Sequence, residues 1–212
     1  MLKLQNVSLS HGAFTLLEGL DLTINSGDFM TVIGENGCGK STLLRCIAGL
    51  HSSYKGKVTF GQKSVNDWPS KLLAKKRAFV NQHNQVQFAF ITEEVLQLGR
   101  TNQHESQHQS NALICQMAEQ LSIGHLFGRD VRTLSGGERQ RVFIAKALVQ
   151  LLPNANETKN GRDFEGKLLL LDEPTSALDF RFQKAMMEIV KGFCLQGLGV
   201  MCVSHDINLI LP

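Results

Sequence analysis

Hydrophobic and polar positions alternate near the start of the chain and give way to longer apolar runs further on. Leu20, Leu22 and Ile24 are separated by polar residues, which is the period of a half-buried strand. Successive leucines fill 168–171, as expected of a parallel strand that is covered on both faces. The pattern predicts strands within residues 1–32 and further strands over 29–33, 56–60, 78–81, 168–171 and 199–203.

Helical spacing of apolar residues predicts helices between these strands, over 41–50, 69–76, 93–98, 112–121, 139–152 and 182–193. Residues 101–111 are almost wholly polar and predict a solvated loop or the frayed start of a helix, and the breaker-rich 153–167 predicts a surface loop. Because 83–150 carries little strand pattern, we predict a helical insertion there, within an α/β core formed by 1–82 and 151–212.

Composition limits the class of protein. The 212 residues, 42% of them hydrophobic, are enough to bury a proper core. No apolar run approaches the ~18 residues that cross a bilayer, and residues 1–7 lack the apolar core of a signal peptide. Five scattered cysteines suit a reducing compartment, and a net charge of +3 does not indicate a nucleic-acid partner. We therefore expect a soluble cytosolic protein.

A glycine-rich stretch between a predicted strand and a predicted helix matches the phosphate-loop pattern G-x-x-x-x-G-K-[ST]. Its residues are Gly34, Glu35, Asn36, Gly37, Cys38, Gly39, Lys40, Ser41 and Thr42. Glycines let backbone N–H groups turn inward around phosphate oxygens, and the helix adds its positive N-terminus. Lys40 can reach the β- and γ-phosphates, and the Ser41 hydroxyl can ligate Mg²⁺. The stretch predicts a nucleotide site.

Two carboxylates, Asp172 and Glu173, follow the apolar strand 168–171. Ligands of open α/β sheets bind at the carboxyl ends of the strands. We expect Asp172 to hold Mg²⁺, through its water shell or through its partner Ser41. Glu173 would orient or deprotonate the water that attacks the γ-phosphate.

A second candidate anion site precedes the long helix predicted at 139–152. Ser135 is a good N-cap, and Gly136 and Gly137 expose backbone N–H groups before Glu138. A chain with one nucleotide loop could use a second phosphate site only if two copies met head to tail. Each copy would then cap the nucleotide of the other.

Together these stretches resemble the ATP-binding cassette (ABC) transporter ATPases. The matching positions, in order and spacing, are 34–42, Gln82, 134–140, 168–173, 176–179 and 204–206. The resemblance implies a single domain over 1–212, with a RecA-like parallel-sheet core, N-terminal antiparallel strands and the inserted helical subdomain at 83–150. It also implies that ATP and Mg²⁺ lie between the Lys40 loop of one copy and Ser135 and Gly137 of the other.

The resemblance assigns roles to individual residues. His205 is implied to contact the γ-phosphate, and Gln82 to sense Mg²⁺ and water and to link the site to membrane subunits. Asp179 is implied to couple the two sites of the dimer. His11 holds the place where the family stacks an aromatic residue on adenine, with Phe14 nearby. Family members continue beyond the position of Pro212, so we expect a truncated C-terminal end.

Within the family, the chain is similar to importer ATPases for metal chelates, through residues 82–83, 88–95 and 98–100. Residues 129–134, which lead into the 134–140 stretch, and the insertion at 153–167 look most like those of the haem-importer branch of this group. This implies ATP-driven haem uptake by a peripheral subunit on the cytoplasmic face of the inner membrane. Its partners would be a second copy, transmembrane permease subunits and, indirectly, a substrate-binding protein.

Other functions stay open at this point. Ferric siderophore or cobalamin import would use the same mechanism. A non-transport ABC ATPase of DNA repair or translation would carry long coiled-coil arms or two cassettes, which this chain lacks. A small-molecule kinase would need neither 134–140 nor His205. Phe88, Phe90 and Ile91 are apolar in a segment predicted to be exposed, so we expect them to form the permease surface.

Overall fold

The structure is a computed structural model, and it describes residues 1–12, 14–82, 86–154, 163–174 and 180–205. Eight strands lie in these ranges: β1 (Leu2–His11), β2 (Phe14–Ile24), β3 (Phe29–Ile33), β4 (Lys55–Phe60), β5 (Lys63–Ser64), β6 (Arg77–Val80), β7 (Leu168–Asp172) and β8 (Gly199–Ser204). Six α-helices accompany them: α1 (Lys40–Ile47), α2 (Ser70–Ala74), α3 (Thr92–Leu98), α4 (Gln107–Gln120), α5 (Gly136–Leu151) and α6 (Phe180–Leu195). Within the same ranges, no helix combines the length and the apolar character needed to span a bilayer.

The strands form two sheets. An antiparallel sheet has the order β2-β1-β4-β5, and a parallel sheet has the order β3-β8-β7-β6. The predicted α/β class, with N-terminal antiparallel strands beside a parallel core, is therefore confirmed. In the parallel sheet Ile33 pairs with Ser204, Asp172 with Val203 and Val80 with Leu171. The carboxyl ends of all four strands thus meet at one edge, where the candidate residues follow.

The parallel sheet is covered on both faces, which explains its leucine run. Leu169 and Leu171 of β7 pack in a cluster with residues of α5 and α6. Leu168 and Leu170 point the other way, into a cluster with α1 and the antiparallel sheet. All four leucines are fully buried. Burial on alternate sides leaves no polar position among residues 168–171 of β7, as a sheet enclosed by two layers requires.

The helical stretch is anchored to this core by α5, which packs against β6 and crosses α3 closely. A Cβ atom built on Gly99, at the end of α3, would lie 2.6 Å from the backbone oxygen of Lys146 in α5. Only glycine allows this approach of the two helices. Whether 83–150 is a separate subdomain stays a prediction.

Two details go beyond the sequence-based predictions. Helix α4 begins at Gln107, inside the polar stretch expected to be a loop or a frayed helix start. Ser106 caps it: the Ser106 hydroxyl accepts from the Gln109 N–H, and the Gln109 side chain accepts from the Ser106 N–H. Strand β5 was not predicted, because two residues are too short to show a period.

Candidate active site

The phosphate loop joins β3 to α1 and depends on glycine for its shape. Gly37 and Gly39 have φ angles of 79° and 95°, a region that side chains rarely allow. Gly39 caps α1, and a Cβ atom there would lie 3.0 Å from the Cβ atom of Leu16 in β2. The loop is therefore held from outside by the antiparallel sheet. Sequence reasoning missed this contact, because Leu16 and Gly39 are brought together only by the tertiary fold.

Lys40 is fixed by the loop that contains it. Its ammonium group donates hydrogen bonds of 2.7 Å to the Gly34 carbonyl and 2.6 Å to the Glu35 carbonyl. The residue is only 8% exposed and lines the cleft described below. An ammonium has three N–H donors, so these two bonds orient the group. The third donor makes only a weak 3.9 Å contact with Cys38 Sγ, which a phosphate oxygen would replace.

Ser41 and Asp172 meet where α1 begins and β7 ends. The Ser41 hydroxyl donates a 2.9 Å hydrogen bond to the Asp172 carboxylate, which is almost fully buried. Burial raises the pKa of Asp172, while the Ser41 hydrogen bond and the charges of Arg45 and Lys40 lower it. A buried carboxylate beside a hydroxyl is an oxygen-donor pair of the kind that Mg²⁺ prefers.

These two donors fit a magnesium ion that takes its other ligands from phosphates and water. Among the described residues, no cluster of three or more His, Cys, Asp or Glu side chains could hold a metal unaided. Mg²⁺ is usually bound through one or two carboxylates together with substrate phosphates, and it keeps several waters. The Ser41–Asp172 pair suits that mode of binding.

Glu173 lies at the centre of the second group of candidate residues. Gln82 donates a 2.6 Å hydrogen bond from its side-chain amide to Glu173 Oε2, and His205 Nδ1 lies 3.5 Å from the same oxygen. Glu173 has φ 47°, and its N–H donates to the Val203 carbonyl at 3.0 Å. A left-handed backbone is uncommon for a residue other than glycine and is concentrated at functional sites. The sequence shows no signal of this conformation.

A cleft of about 570 Å³ connects these groups. It is lined by the phosphate loop, by Gln82, Glu173 and His205, and by Phe14 and Leu16 of β2. Phe14 is 77% exposed and forms an aromatic wall at this cleft. The structure describes the backbone of His11, which pairs with Phe14, but not its side chain. The proposed stacking of His11 on adenine therefore lies outside the described residues.

The Ser135 stretch caps α5 as predicted. The Ser135 hydroxyl donates to the Glu138 carboxylate at 2.7 Å and accepts from the Glu138 N–H at 3.3 Å. The Ser135 N–H donates to the same carboxylate at 2.8 Å, and these bonds lower the pKa of Glu138. None of the described residues from 134 to 140, which include Gly136 and Gly137, lines the cleft. Asp179 lies outside the described residues, so the structure does not bear on its predicted role.

The residues of this site define a class of protein. A phosphate loop lies beside a buried carboxylate, and a second carboxylate is held by Gln82. This arrangement is typical of a nucleotide hydrolase. Residues 17–153 match the ABC transporter family. The chain belongs to this family, and it is an ATP-binding, ATP-hydrolysing member.

Several relatives are similar over almost the whole chain. The hemin import ATP-binding protein HmuV of Pseudomonas aeruginosa is 37% identical over 209 residues, which cover 99% of this chain and 78% of that relative. The protein of the same name from Photobacterium damsela subsp. piscicida is 38% identical over 208 residues, covering 98% of this chain and 75% of that relative.

Solved structures of the family have the same fold. A protein described as a metal-chelate type ABC transporter, in an inward-facing conformation, is 29% identical, with a TM-score of 0.76 over 99% of this chain and 75% of that chain. A bacterial ABC transporter cassette solved as a dimer is 27% identical, with a TM-score of 0.82 over 99% of this chain and 90% of that chain.

Proposed function

We propose that this chain is the ATP-hydrolysing subunit of a haem importer. The observation that carries the proposal is its near-complete alignment, at 37% and 38% identity, with relatives named hemin import ATP-binding proteins. The likeness to a metal-chelate type transporter supports the same class of cargo. Ferric siderophore and cobalamin remain alternative cargoes in the experiment below.

Phosphate binding is the first task assigned to this site. The loop N–H groups and the third donor of Lys40 would bind the β- and γ-phosphates. Ser41 and Asp172, joined at 2.9 Å, would hold Mg²⁺, with Gln82 close to it. When bound, Mg²⁺ neutralises charge on the phosphate oxygens. Because Asp172 is buried, its surroundings screen its charge weakly, and its attraction for Mg²⁺ would be strong.

Water activation is the task assigned to Glu173. Gln82 holds Glu173 Oε2 through the 2.6 Å hydrogen bond, which fixes the direction in which the carboxylate can accept a proton. The left-handed backbone of Glu173 aims the side chain into the cleft from the end of β7. Glu173 would take a proton from the attacking water, and His205, 57% exposed by its side chain, would contact the γ-phosphate.

Two copies would complete the site. The N–H groups of Gly136 and Gly137 and the Ser135 hydroxyl begin α5, and none of them reaches the cleft of its own chain. In a head-to-tail dimer they would close the nucleotide site of the other copy, with Asp179 coupling the two sites. The dimeric structure of a related cassette supports the formation of a dimer.

Membrane subunits are the remaining partners of the proposal. Phe88 is 70% exposed and packs edge-to-face on Phe90, at a centroid separation of 6.4 Å. Exposed apolar side chains of this size usually mark an interaction surface. We propose that the permease docks there and holds the chain at the cytoplasmic face of the membrane, while a substrate-binding protein delivers haem on the opposite side.

Transport in proteoliposomes tests the proposal. The chain is reconstituted with its permease pair and substrate-binding protein, and uptake is measured for haem, a ferric siderophore and cobalamin, each with and without ATP. Glu173→Gln serves as the matched control for uptake that needs hydrolysis. We expect ATP-dependent uptake of haem alone. Uptake of a different chelate would correct the cargo, and no stimulation of ATPase activity by any loaded binding protein would refute the transport function.

A further inference from the structure

A small pocket beside the exposed phenylalanines contains an unpaired charge. The pocket has a volume of about 280 Å³, and its walls include Phe88, Phe90, Val95, Leu98 and Phe143, with Lys146 among them. We name it the Lys146 pocket. Among the described residues that line it, Lys146 alone is charged. Phe88 and Leu98 are 70% and 45% exposed, so the pocket opens to the surface.

Lys146 has no acceptor within the part of the chain that the structure describes: its ammonium makes no hydrogen bond, ion pair or ring contact there. Other partly buried lysines are satisfied by carbonyl groups. Lys40 donates to Gly34 and Glu35, and Lys167 donates to the Leu151 carbonyl at 2.5 Å. Loss of hydration lowers the pKa of Lys146. In the isolated chain, this cation is therefore partly desolvated within an apolar wall, and the loss of hydration costs free energy.

The backbone holds this lysine in place. Helix α3 ends against it, since a Cβ atom on Gly99 would lie 2.6 Å from the Lys146 carbonyl oxygen. A shift of α5 away from α3 would give up this close contact between the two backbones. Any group that covers the pocket with apolar atoms alone would remove more water from the ammonium and would be opposed by that cost.

We infer that the permease segment docking on this surface carries a carboxylate side chain that pairs with Lys146, flanked by apolar residues that cover Phe88 and Leu98. The inference rests on the proposed function, which supplies the permease as occupant. Charge complementarity favours a carboxylate over a carbonyl as the acceptor, because a carboxylate also neutralises the charge of the ammonium.

The neighbouring cleft indicates which end of the surface the acidic residue of the docked segment would occupy. That cleft, of about 440 Å³, shares Phe90 and Leu98 with the Lys146 pocket and is lined by Glu94 and by the Arg100–Glu105 ion pair. The Glu94 carboxylate accepts a 2.9 Å hydrogen bond from the Ile91 N–H. One end of the surface thus presents an unpaired cation, and the other presents Glu94. We expect the acidic residue of the docked segment at the Lys146 end, away from Glu94.

Zero-length cross-linking tests the pairing directly. A carbodiimide joins an amine to a carboxylate only when the two are in contact, so the assembled complex of this chain with its permease is treated with it and digested. Mass spectrometry should find an isopeptide between Lys146 and an Asp or Glu of a cytoplasmic permease segment. Lys146→Arg should abolish that product while the complex still assembles, because arginine keeps the charge but forms no such amide.

Substitutions separate a docking role from a structural one. Lys146→Met removes a desolvated charge, so the melting temperature of the isolated chain should stay the same or rise. Permease-stimulated ATPase activity and complex affinity should fall by at least about tenfold. Lys146→Glu should lower both further. Lys184→Met, at an exposed lysine of α6, is the matched control and should change neither quantity.

The possible outcomes are distinct. Absence of uptake of all three chelates, with no stimulation of ATPase activity, would refute the proposed transport function. If the wild type transports haem and Lys146→Met assembles with equal affinity, the inference alone is refuted. An isopeptide from Lys146 to a peptide of a second copy, or retention by anionic phospholipid vesicles that Lys146→Met abolishes, would replace the permease carboxylate as its partner.

Discussion

The side-chain amide of Gln82 donates a hydrogen bond of 2.6 Å to the carboxylate of Glu173. The two residues follow neighbouring strands, since Val80 of β6 pairs with Leu171 of β7. Gln82 also lies at the start of the segment that leads to Phe88 and the Lys146 pocket. A displacement of that segment would therefore be transmitted to the proposed base through one hydrogen bond.

Glu173→Gln should still bind Mg-ATP but hydrolyse it about 10² to 10⁴ times more slowly, because the general base is lost while the phosphate contacts remain. The nucleotide should then persist in a dimer. Turnover and molecular mass with ATP measure both effects. Turnover close to that of the wild type, in a variant that folds normally, would exclude this role.

Asp172→Asn should raise the melting temperature of the nucleotide-free chain near neutral pH. Burial holds the pKa of Asp172 above its unfolded value, so ionising the carboxylate costs more in the folded state. This penalty is absent below the unfolded pKa, grows as pH rises towards the raised pKa and is complete above it.

The gain in melting temperature should therefore disappear on acidification. Asparagine keeps an acceptor for the Ser41 hydroxyl, so the packing should survive. The same variant should lose the dependence of ATP affinity on Mg²⁺. A lower melting temperature for Asp172→Asn at pH 7.5 would contradict the assigned penalty.

Cys38 should react with a maleimide, and Mg-ATP should protect it. Its thiol is exposed and lies 3.9 Å from the Lys40 ammonium, inside the loop that would surround the phosphates. An adduct there would occupy the phosphate position and should abolish ATPase activity. Peptide mass spectrometry with and without Mg-ATP measures the labelling.

The other cysteines provide the controls for this experiment. Cys115 is exposed on α4 and does not line the cleft, so it should label equally in both states. Burial raises the pKa of Cys46 and Cys194 to about 11 and that of Cys202 to about 12, so these thiols should not react in the folded protein. Equal labelling of Cys38 with and without nucleotide would place it away from the phosphates.

Phe90→Asp should leave the basal ATPase activity of the isolated chain largely intact but abolish its stimulation by the permease. Phe90 lines both the Lys146 pocket and the neighbouring cleft, so a charge there would oppose an apolar partner. Because Phe90 also packs on the core, Phe88→Asp is the gentler variant at the same surface. ATPase assays in lipid, together with growth on haem as sole iron source, measure the effect. Normal growth with both variants would exclude this docking surface.

The sequence could predict those structural elements that are determined by residues close together along the chain. Strand β3, the phosphate loop and α1 follow from one another along the chain, and the leucines of β7 reveal an enclosed strand by themselves. The sequence left the start of α4 open between a loop and a frayed helix start, because Ser106 and Gln109 are both polar and only their reciprocal hydrogen bonds distinguish a cap from a loop.

Contacts across the fold could not be predicted in this way. The contact between Gly39 and Leu16 joins the phosphate loop to a strand of the antiparallel sheet, and nothing in the local pattern signals it. Lys146 occurs in a helix whose apolar period marks its buried face, and it looks like an ordinary solvated lysine in sequence. Its isolation becomes visible only when α3, α5 and the aromatic side chains are placed around it.

The capping of α5 bears on when two copies adhere. The Ser135 hydroxyl already donates to Glu138 and accepts from its N–H, so its one donor and one of its two acceptor sites are used within one chain. A neighbouring copy without nucleotide would gain few hydrogen bonds from the Ser135 hydroxyl. A new bond donated by this hydroxyl would first require its bond to Glu138 to break. A triphosphate changes that exchange, because its charge competes with Glu138 for the same hydroxyl. Bound ATP would therefore stabilise the dimer, and its hydrolysis would remove that stabilisation. Two subunits without nucleotide would dissociate.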